Sequence, residues 1–442
     1  MTITNAETVR FIEAHRNDDI RQLALSAAGR NGVDMPFALD QIAGWQTARR
    51  KLPTWASTDG IIYPPHLSME QCSSEATALY KAALAERLVD RKRKHAAGDG
   101  NNDGKEDGST MFADITGGFG VDFSYIARRF GRAVYIERQP RLCDIAKENF
   151  HTLGLNMAEV VCGDSKEWLQ HNDNTHADLI MADPARRDTH GGRTFAISDC
   201  TPDVLAMKDV LLDRADHVMI KLSPMLDWHK AAEDFGPEVC EIHIVSTGNE
   251  CKELLLVASR KGVDKGDNGR GKSDEEGCLA PRPRIFCVND GTVVEVTAER
   301  GTDDTDGPDT QTLPEPIGDI IATSPLFLYE PNASIMKAGC FKTVERRYGV
   351  RQIDTSSHLF VSDRPVDNFP GRKFLVTGVC TMNKKELKKA LAGIDKANIT
   401  TRNFPMTVAE LRRKLKIKEG GETYIFATTL PGKNHVLMIC SK

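Results

Sequence analysis

Asp114-Ile-Thr-Gly-Gly-Phe-Gly-Val-Asp122 is the stretch that decides the fold of this chain. It follows the apolar run Met111-Phe112-Ala113 and precedes Phe123–Phe130, whose apolar residues recur at helical spacing. Glycines at 117, 118 and 120 let the backbone turn tightly and approach a ligand that any side chain would exclude. Glu137 ends the next apolar run, 23 positions beyond Asp114, where a dinucleotide-type fold places the carboxylate that holds ribose hydroxyls.

Outward from this turn, strand-like and helix-like runs alternate. MFADI, AVYIE, EVVCGD, ADLIMADP, HVMIKLSP, EIHIVST and ELLLVAS supply seven strands, several separated by amphipathic helices such as RLCDIAKENFHTLG. That alternation implies an α/β fold with a Rossmann-like, mostly parallel sheet covered on both faces. The last two strands have only a short link between them and are read as an antiparallel hairpin. Residues 1–90 read as a helical cap, with Ser73 and Ser74 as N-cap candidates for the helix leading to Lys81. Tyr63-Pro64-Pro65 and Trp55 read as packing residues of a loop between cap and catalytic domain. RKRKHAAGDGNNDGKEDGST reads as a charged, Gly-rich linker. Beyond a second such stretch, RIFCVNDGTVVEV reads as a hairpin around Asp290-Gly291. The expected organisation is a cap over 1–90, a catalytic domain over 111–260, a small α/β module over 279–370 and a basic α/β domain over 371–442.

Composition excludes other classes. The chain has 442 residues, 40% hydrophobic and 27% charged, which is ordinary for globular domains. No run approaches the ~18 apolar residues of a membrane-spanning helix, and the N-terminus lacks a secretory pattern, so a cytoplasmic protein with no membrane partner is expected. Its 11 cysteines are scattered singly, with neither a disulfide framework nor metal-ligand spacing, and no metal is expected. Charge is uneven: residues 371–442 carry 15 Lys/Arg against 5 Asp/Glu, and the net −5 of the whole chain leaves −15 elsewhere. The basic segment suits a polyanion or is the solvated side of two helices.

The pattern D-x-x-G-G-x-G, rather than G-x-G-x-x-G, resembles motif I of class I methyltransferases. The resemblance implies S-adenosylmethionine as cofactor, held by Asp114, Thr116, Gly117, Gly118, Gly120, Glu137 and Asp183, with Asp164 of VVCGDS (160–165) at the adenine amino group. ADPARR (182–187) resembles the D/N-P-P-x motifs of nucleobase methylases, with Ala185 for the second proline and Arg186 for the aromatic. Asp183 there suits proton or hydrogen-bond acceptance, Arg186 and Arg187 suit substrate phosphate as bidentate donors, and Pro184 beside them is a further substrate-binding candidate. No cysteine stands at a motif end, which disfavours pyrimidine carbon-5 chemistry; Cys200 is the nearest candidate. Lys81, Asp183, Lys221 and Glu253, in KELLLVA (252–258), resemble the Lys-Asp-Lys-Glu tetrad of RNA ribose 2′-O-methyltransferases. A desolvated lysine between carboxylates would lower a hydroxyl pKa or take its proton.

IIYPPHLSMEQCSSEATALYK (61–81), DITGGFGVD, ADPARRD, KLSPMLD, NECKELLLVAS (249–259), FLYEPNASIMKAGCFKTVERRYGV (327–350) and RNFPMTVAELRRKLKIKEGG (402–421) are spread from residue 61 to residue 421, so the resemblance they carry extends over nearly all of the chain. In combination and order they resemble bacterial class I methyltransferases with a ferredoxin-like middle module and a C-terminal THUMP-like domain. THUMP domains bind structured RNA, so the resemblance implies RNA, tRNA or rRNA, as substrate. Lys384, Lys385, Lys388, Lys389, Arg412, Arg413, Lys414, Lys416 and Lys418 are the candidate phosphate contacts. The target atom stays open between a ribose 2′-oxygen and a base nitrogen. DNA or small-molecule methylation and a non-catalytic, cofactor-binding RNA factor are the alternatives.

Overall fold

The computed structural model describes residues 5–26, 32–97, 110–171, 175–186, 197–260, 283–297 and 325–442. These form two compact units, Met1–Thr247 with Lys252–Pro283, and Gly248–Cys251 with Arg284–Lys442.

The first unit opens with helices α1 (Ala6–His15), α2 (Ile20–Ser26), α3 (Met35–Lys51), α4 (Pro53–Ala56), α5 (His66–Gln71) and α6 (Glu75–Ala97). Polar caps start two of them: Asn5 accepts from the Thr8 amide at 2.8 Å and Asp34 from the Phe37 amide at 3.1 Å. Trp55 and Tyr63, read as loop packing, are buried together with Leu52, Met69, Phe119, Val121 and Ile145. The cap therefore packs directly on the residues flanking the glycine turn. Helix α6 runs on to Ala97, seven residues into the stretch read as linker. Lys, Arg and Ala are good helix formers, and no breaker intervenes before Gly98.

The sheet of this unit contains β1 (Met111–Asp114), β2 (Arg132–Glu137), β3 (Ala158–Cys162), β4 (Ala177–Ala182), β7 (Ala215–Leu222), β8 (Val239–Thr247) and β9 (Glu250–Ser259). A separate two-stranded ladder pairs β5 (Ala185–Arg186) with β6 (Cys200–Thr201). The seven strands lie in the order β8-β9-β7-β4-β1-β2-β3. Strands β3, β2, β1, β4 and β7 are parallel, and β9 runs antiparallel to β7. Helices α7 (Val121–Ile126), α8 (Pro140–Thr152), α9 (Ser165–His171), α10 (Lys208–Arg214) and α11 (Trp228–Phe235) accompany them. Strands β8 and β9 are joined by Gly248 and Asn249, both at φ 58°, the left-handed pair that a tight hairpin turn needs. The chain moves outward from β1 to β3 and returns to β4, so a topological switch point lies between β1 and β4, where such sheets bind ligands at their carboxyl ends. Because β9 is antiparallel, its beginning, with Glu253, reaches that same end.

In the second unit, β10 (Arg284–Asn289) and β11 (Thr292–Thr297) form the expected hairpin, with Asp290 and Gly291 at positive φ. A seven-stranded sheet follows, in which β12 (Leu326–Pro331) pairs on one side with the short strands β13 (Arg351–Gln352) and β14 (Phe360–Ser362), through β14, and on the other with β15 (Gly371–Thr381). The expected boundary at 370/371 thus falls between two hydrogen-bonded strands of one sheet. Glu330 of β12 accepts from Arg372 and, at 2.9 Å, from Arg402. Further along are β16 (Asn398–Thr401), β17 (Thr423–Leu430) and β18 (Asn434–Ser441). Helices α12 (Lys384–Ala390) and α13 (Val408–Leu415) cover one face through Leu387, Ala390, Leu411 and Leu415, packed on Ile399, Ile425, Leu437 and Ile439. Among the described residues no helix is long and apolar enough to cross a membrane, and no group of side chains has a metal-binding arrangement.

Candidate active site

Tyr135, in the middle of β2, sets the shape of the glycine turn. Its buried ring lies where a Cβ on Gly117 would come within 2.2 Å, and its hydroxyl donates to the Gly118 carbonyl. Phe123 and Phe150 pack on it with ring centroids 5.6 and 5.3 Å away, contacts worth ~1 kcal/mol each beyond their area. Gly120 has φ +82° and its Cβ would meet Phe150 at 2.8 Å, so two independent constraints demand glycine there. A Cβ on Gly118, by contrast, would meet only the Thr116 carbonyl at 3.7 Å.

This turn walls a cavity of about 660 Å³ at the carboxyl ends of the strands. On one side stand Glu137, Gln139, Gly163 and Asp164, and on the other Ser73, Asp183, Pro184, Ala185, Lys221 and Glu253. Glu137 is fixed by the amides of Gly118 at 2.9 Å and Gln139 at 2.8 Å. Asp164 caps α9, accepting from the Lys166 amide at 2.8 Å. Asp114 accepts from the amide and hydroxyl of Thr116, and Thr116 Oγ1 in turn accepts from the Asp183 amide at 2.6 Å. The glycine turn and the end of β4 are thereby tied together. Burial pushes the Asp114 carboxyl up to about 7, with Asp122 and Asp183 acting in the same direction.

The four strand-end and helix charges come together as two ion pairs. Lys221 donates to Asp183, and the fully buried Lys81 donates to Glu253 Oε1 at 2.5 Å and to Ser73 Oγ at 3.2 Å. Asp122 stands between the pairs, with Oδ1 3.2 Å from Lys81 Nζ and Oδ2 4.0 Å from Lys221 Nζ. Burial works to lower the Lys221 pKa, but Asp183, Asp122 and Glu253 outweigh it and hold the ammonium charged. Burial raises Glu253, against the pull of Lys81 and Lys221. The Asp183 side chain is 43% exposed and that of Lys221 13%, whereas Lys81 is sealed, so only the first pair faces the cavity mouth.

Two members of this cluster, Asp122 and Ser73, were missed as site residues. Their signal is an aspartate inside the otherwise packed VDFSYI helix, and a serine that turns from capping α6, a task Ser74 performs, to donate to Asp122 at 2.7 Å. Cys200 lies opposite Arg186 in the short ladder and lines the cavity. Arg186 is described only in its backbone, and Arg187 lies outside the described residues. Lys384, Lys388 and Arg413 are exposed, on α12 and α13 of the second unit, while Arg412 is half-buried and donates to the Ala397 carbonyl at 3.2 Å.

A family model described as THUMP domain-like matches residues 371–442, and one described as a ferredoxin-like domain matches 327–370. Among curated proteins no sequence matches. A crystal structure from Porphyromonas gingivalis W83, of a protein whose methyltransferase activity is itself an assignment, is 27% identical, with TM-score 0.74 over 99% of this chain and 97% of that one. The chain is an S-adenosylmethionine-dependent methyltransferase. More distant likenesses include an O-methyltransferase from Bacillus cereus in complex with SAH, at 14% identity, TM-score 0.33, covering 49% of this chain and 91% of that one. An rRNA methylase from Streptococcus thermophilus is 15% identical, with TM-score 0.27 over 35% of this chain and 89% of that one.

The methyltransferase's cavity fits its cofactor on chemical grounds. Glu137 offers a fixed carboxylate for ribose hydroxyls, and Gly118 leaves its turn open. Of the charged side chains lining it, Asp122, Glu137, Asp164, Asp183 and Glu253, with Asp114 held near neutrality by burial, outnumber Arg138, Lys221 and Lys252, an acidic balance that favours a ligand carrying a sulfonium and an ammonium.

Proposed function

We propose that this methyltransferase acts on RNA, and that the acceptor is a ribose 2′-hydroxyl rather than a base nitrogen. The carrying observation is the Lys221–Asp183 pair at the cavity mouth, backed by the buried Lys81–Glu253 pair. Bound S-adenosylmethionine supplies an electrophilic methyl group. A lysine held charged cannot take a proton, so Lys221 lowers the pKa of a hydroxyl by stabilising the developing alkoxide, while the exposed carboxylate of Asp183 orients that ammonium and accepts the proton the hydroxyl gives up as the methyl group leaves the sulfonium. Where base methylases carry an aromatic for stacking, this chain has Arg186, and the second proline of their motif is replaced by Ala185. The basic outer sides of α12 and α13, within the part similar to THUMP domains, support a polyanionic substrate.

The test is tritium transfer from labelled S-adenosylmethionine to total RNA from a strain lacking the protein, followed by nucleoside analysis. Label is expected in a 2′-O-methyl nucleoside and is expected to be lost in Lys221→Ala while cofactor affinity is kept. Label in a methylated base would overturn the hydroxyl reading. No label in RNA would overturn the substrate class and move the assignment to DNA, a small molecule or a non-catalytic role.

A further inference from the structure

We infer that Asp122 is a positioning residue of the transfer reaction, acting through Lys221, whose ammonium it draws inward against the pull of Asp183. This rests on the reading of the same site as the place of methyl transfer. Its place at the N-terminal turn of α7 puts Asp122 between two lysines that already have partners: Lys81 has Glu253 and Lys221 has Asp183. For local neutrality it is superfluous, since the two lysines are balanced without it. An excess buried carboxylate is costly unless it is held, and Ser73 Oγ holds its Oδ2 at 2.7 Å while Oδ1 accepts no hydrogen bond among the described residues. That oxygen is nonetheless 3.2 Å from Lys81 Nζ, so the carboxylate serves as a charge rather than as a satisfied hydrogen-bond partner. Asp183, at 43% side-chain exposure, is the nearer and more exposed of the two carboxylates facing Lys221, and Asp122, at 11% and 4.0 Å, is the farther and more buried. With Asp183 alone, Lys221 would follow its partner toward the mouth. With Asp122 behind it, the ammonium lies between a buried and an exposed charge, and its direction is set from the protein interior.

The groups that bear on Lys221 from the packed elements are Asp122 of α7, Asp183 after β4, Glu253 of β9 and the Cys72 thiol before α6, while Lys81 and Asp114 bear on Asp122. The experiment uses the full chain with Asp122→Asn and Asp122→Glu. It reads ammonium-proton exchange of Lys221 by 15N NMR, assigned with Lys221→Arg, together with single-turnover transfer across pH and cofactor affinity by calorimetry. In Asp122→Asn the protected Lys221 ammonium signal is expected to be lost and kcat to fall about 10- to 100-fold, the scale of a misplaced reacting group, with KM for RNA and cofactor affinity within about twofold. Asp122→Glu should restore part of both. An unchanged ammonium signal, or an unchanged kcat in a folded variant, overturns the inference. If Asp122→Asn does not fold, Ser73→Ala, which frees the carboxylate without changing charge, decides: a smaller loss of the same kind supports the role and none refutes it. Should wild-type protein transfer no methyl group to RNA, the functional reading fails, while the ammonium signal still decides whether Asp122 positions Lys221.

Discussion

At the scale of single residues, Asp114 carries the clearest consequence of burial. Burial raises its carboxyl to about 7, Asp122 and Asp183 add to the effect, and the Thr116 amide and hydroxyl only partly offset it. In the unfolded chain the same carboxyl titrates near 4, so between about pH 4 and pH 7 the folded state holds the extra proton. Stability contributed by that proton is therefore present at low pH and declines as pH rises through the window, the reverse of a salt-bridged aspartate. A cationic ligand favours the carboxylate and reverses the trend for binding. From about pH 6 to about pH 8 the melting temperature of cofactor-free protein should fall more in wild type than in Asp114→Asn, while S-adenosylmethionine binding by calorimetry tightens in wild type and stays flat in the variant. Parallel pH responses of the two proteins would refute the assignment. Asp114 and Glu137 were legible in the sequence because the glycine turn fixes the register of everything around it. Tyr135, Asp122 and Ser73 were not, since each acts across a packing contact between segments distant in the chain, and nothing in spacing alone records which side chains face one another.

At the scale of elements, the same division holds between local and non-local signals. Thr407-Val-Ala-Glu410 opens α13 with a capping box, in which Thr407 accepts from the Glu410 amide at 3.3 Å and Glu410 accepts from the Thr407 amide at 2.8 Å. Such an end is written in four consecutive residues. The far end of α6 was misread because composition alone, charged and free of large apolar residues, does not separate a polar helix from a linker. The cap of α13 matters to the proposed RNA surface because Arg412 and Arg413 sit on its last turn and only Leu411 among its residues is buried. Thr407→Ala should cost about 1 kcal/mol of stability by chemical denaturation. It should also weaken RNA binding by the variant, through fraying of the element that presents the arginines, without altering cofactor affinity. Equal RNA affinity despite the stability loss would remove α13 from the binding surface.

At the scale of the whole molecule, the uneven charge is the feature that ties sequence to substrate. A chain of net −5 that gathers 15 Lys/Arg into residues 371–442 presents a polyanion with one attractive region and, elsewhere, a repulsive one. That segment's charge and α/β character were legible in the sequence, whereas its pairing with the preceding module through the ladder from β12 to β15 was not, because which strands lie side by side is not written in composition. If the basic side of α12 and α13 holds phosphates, affinity must depend on salt through counterion release, with each lost contact lowering the slope of log K against log salt by about 0.7 to 0.9. The triple substitution Lys384→Glu, Lys388→Glu and Arg413→Glu uses only exposed residues and leaves Arg412, which is tethered to the Ala397 carbonyl, in place. Its salt slope should fall by about 2 to 3 relative to wild type, and methyl transfer to RNA should suffer in KM while kcat at saturation is retained. A reduced kcat with an unchanged slope would mean that these lysines and arginines face only water, and that the substrate is recognised by the first unit alone.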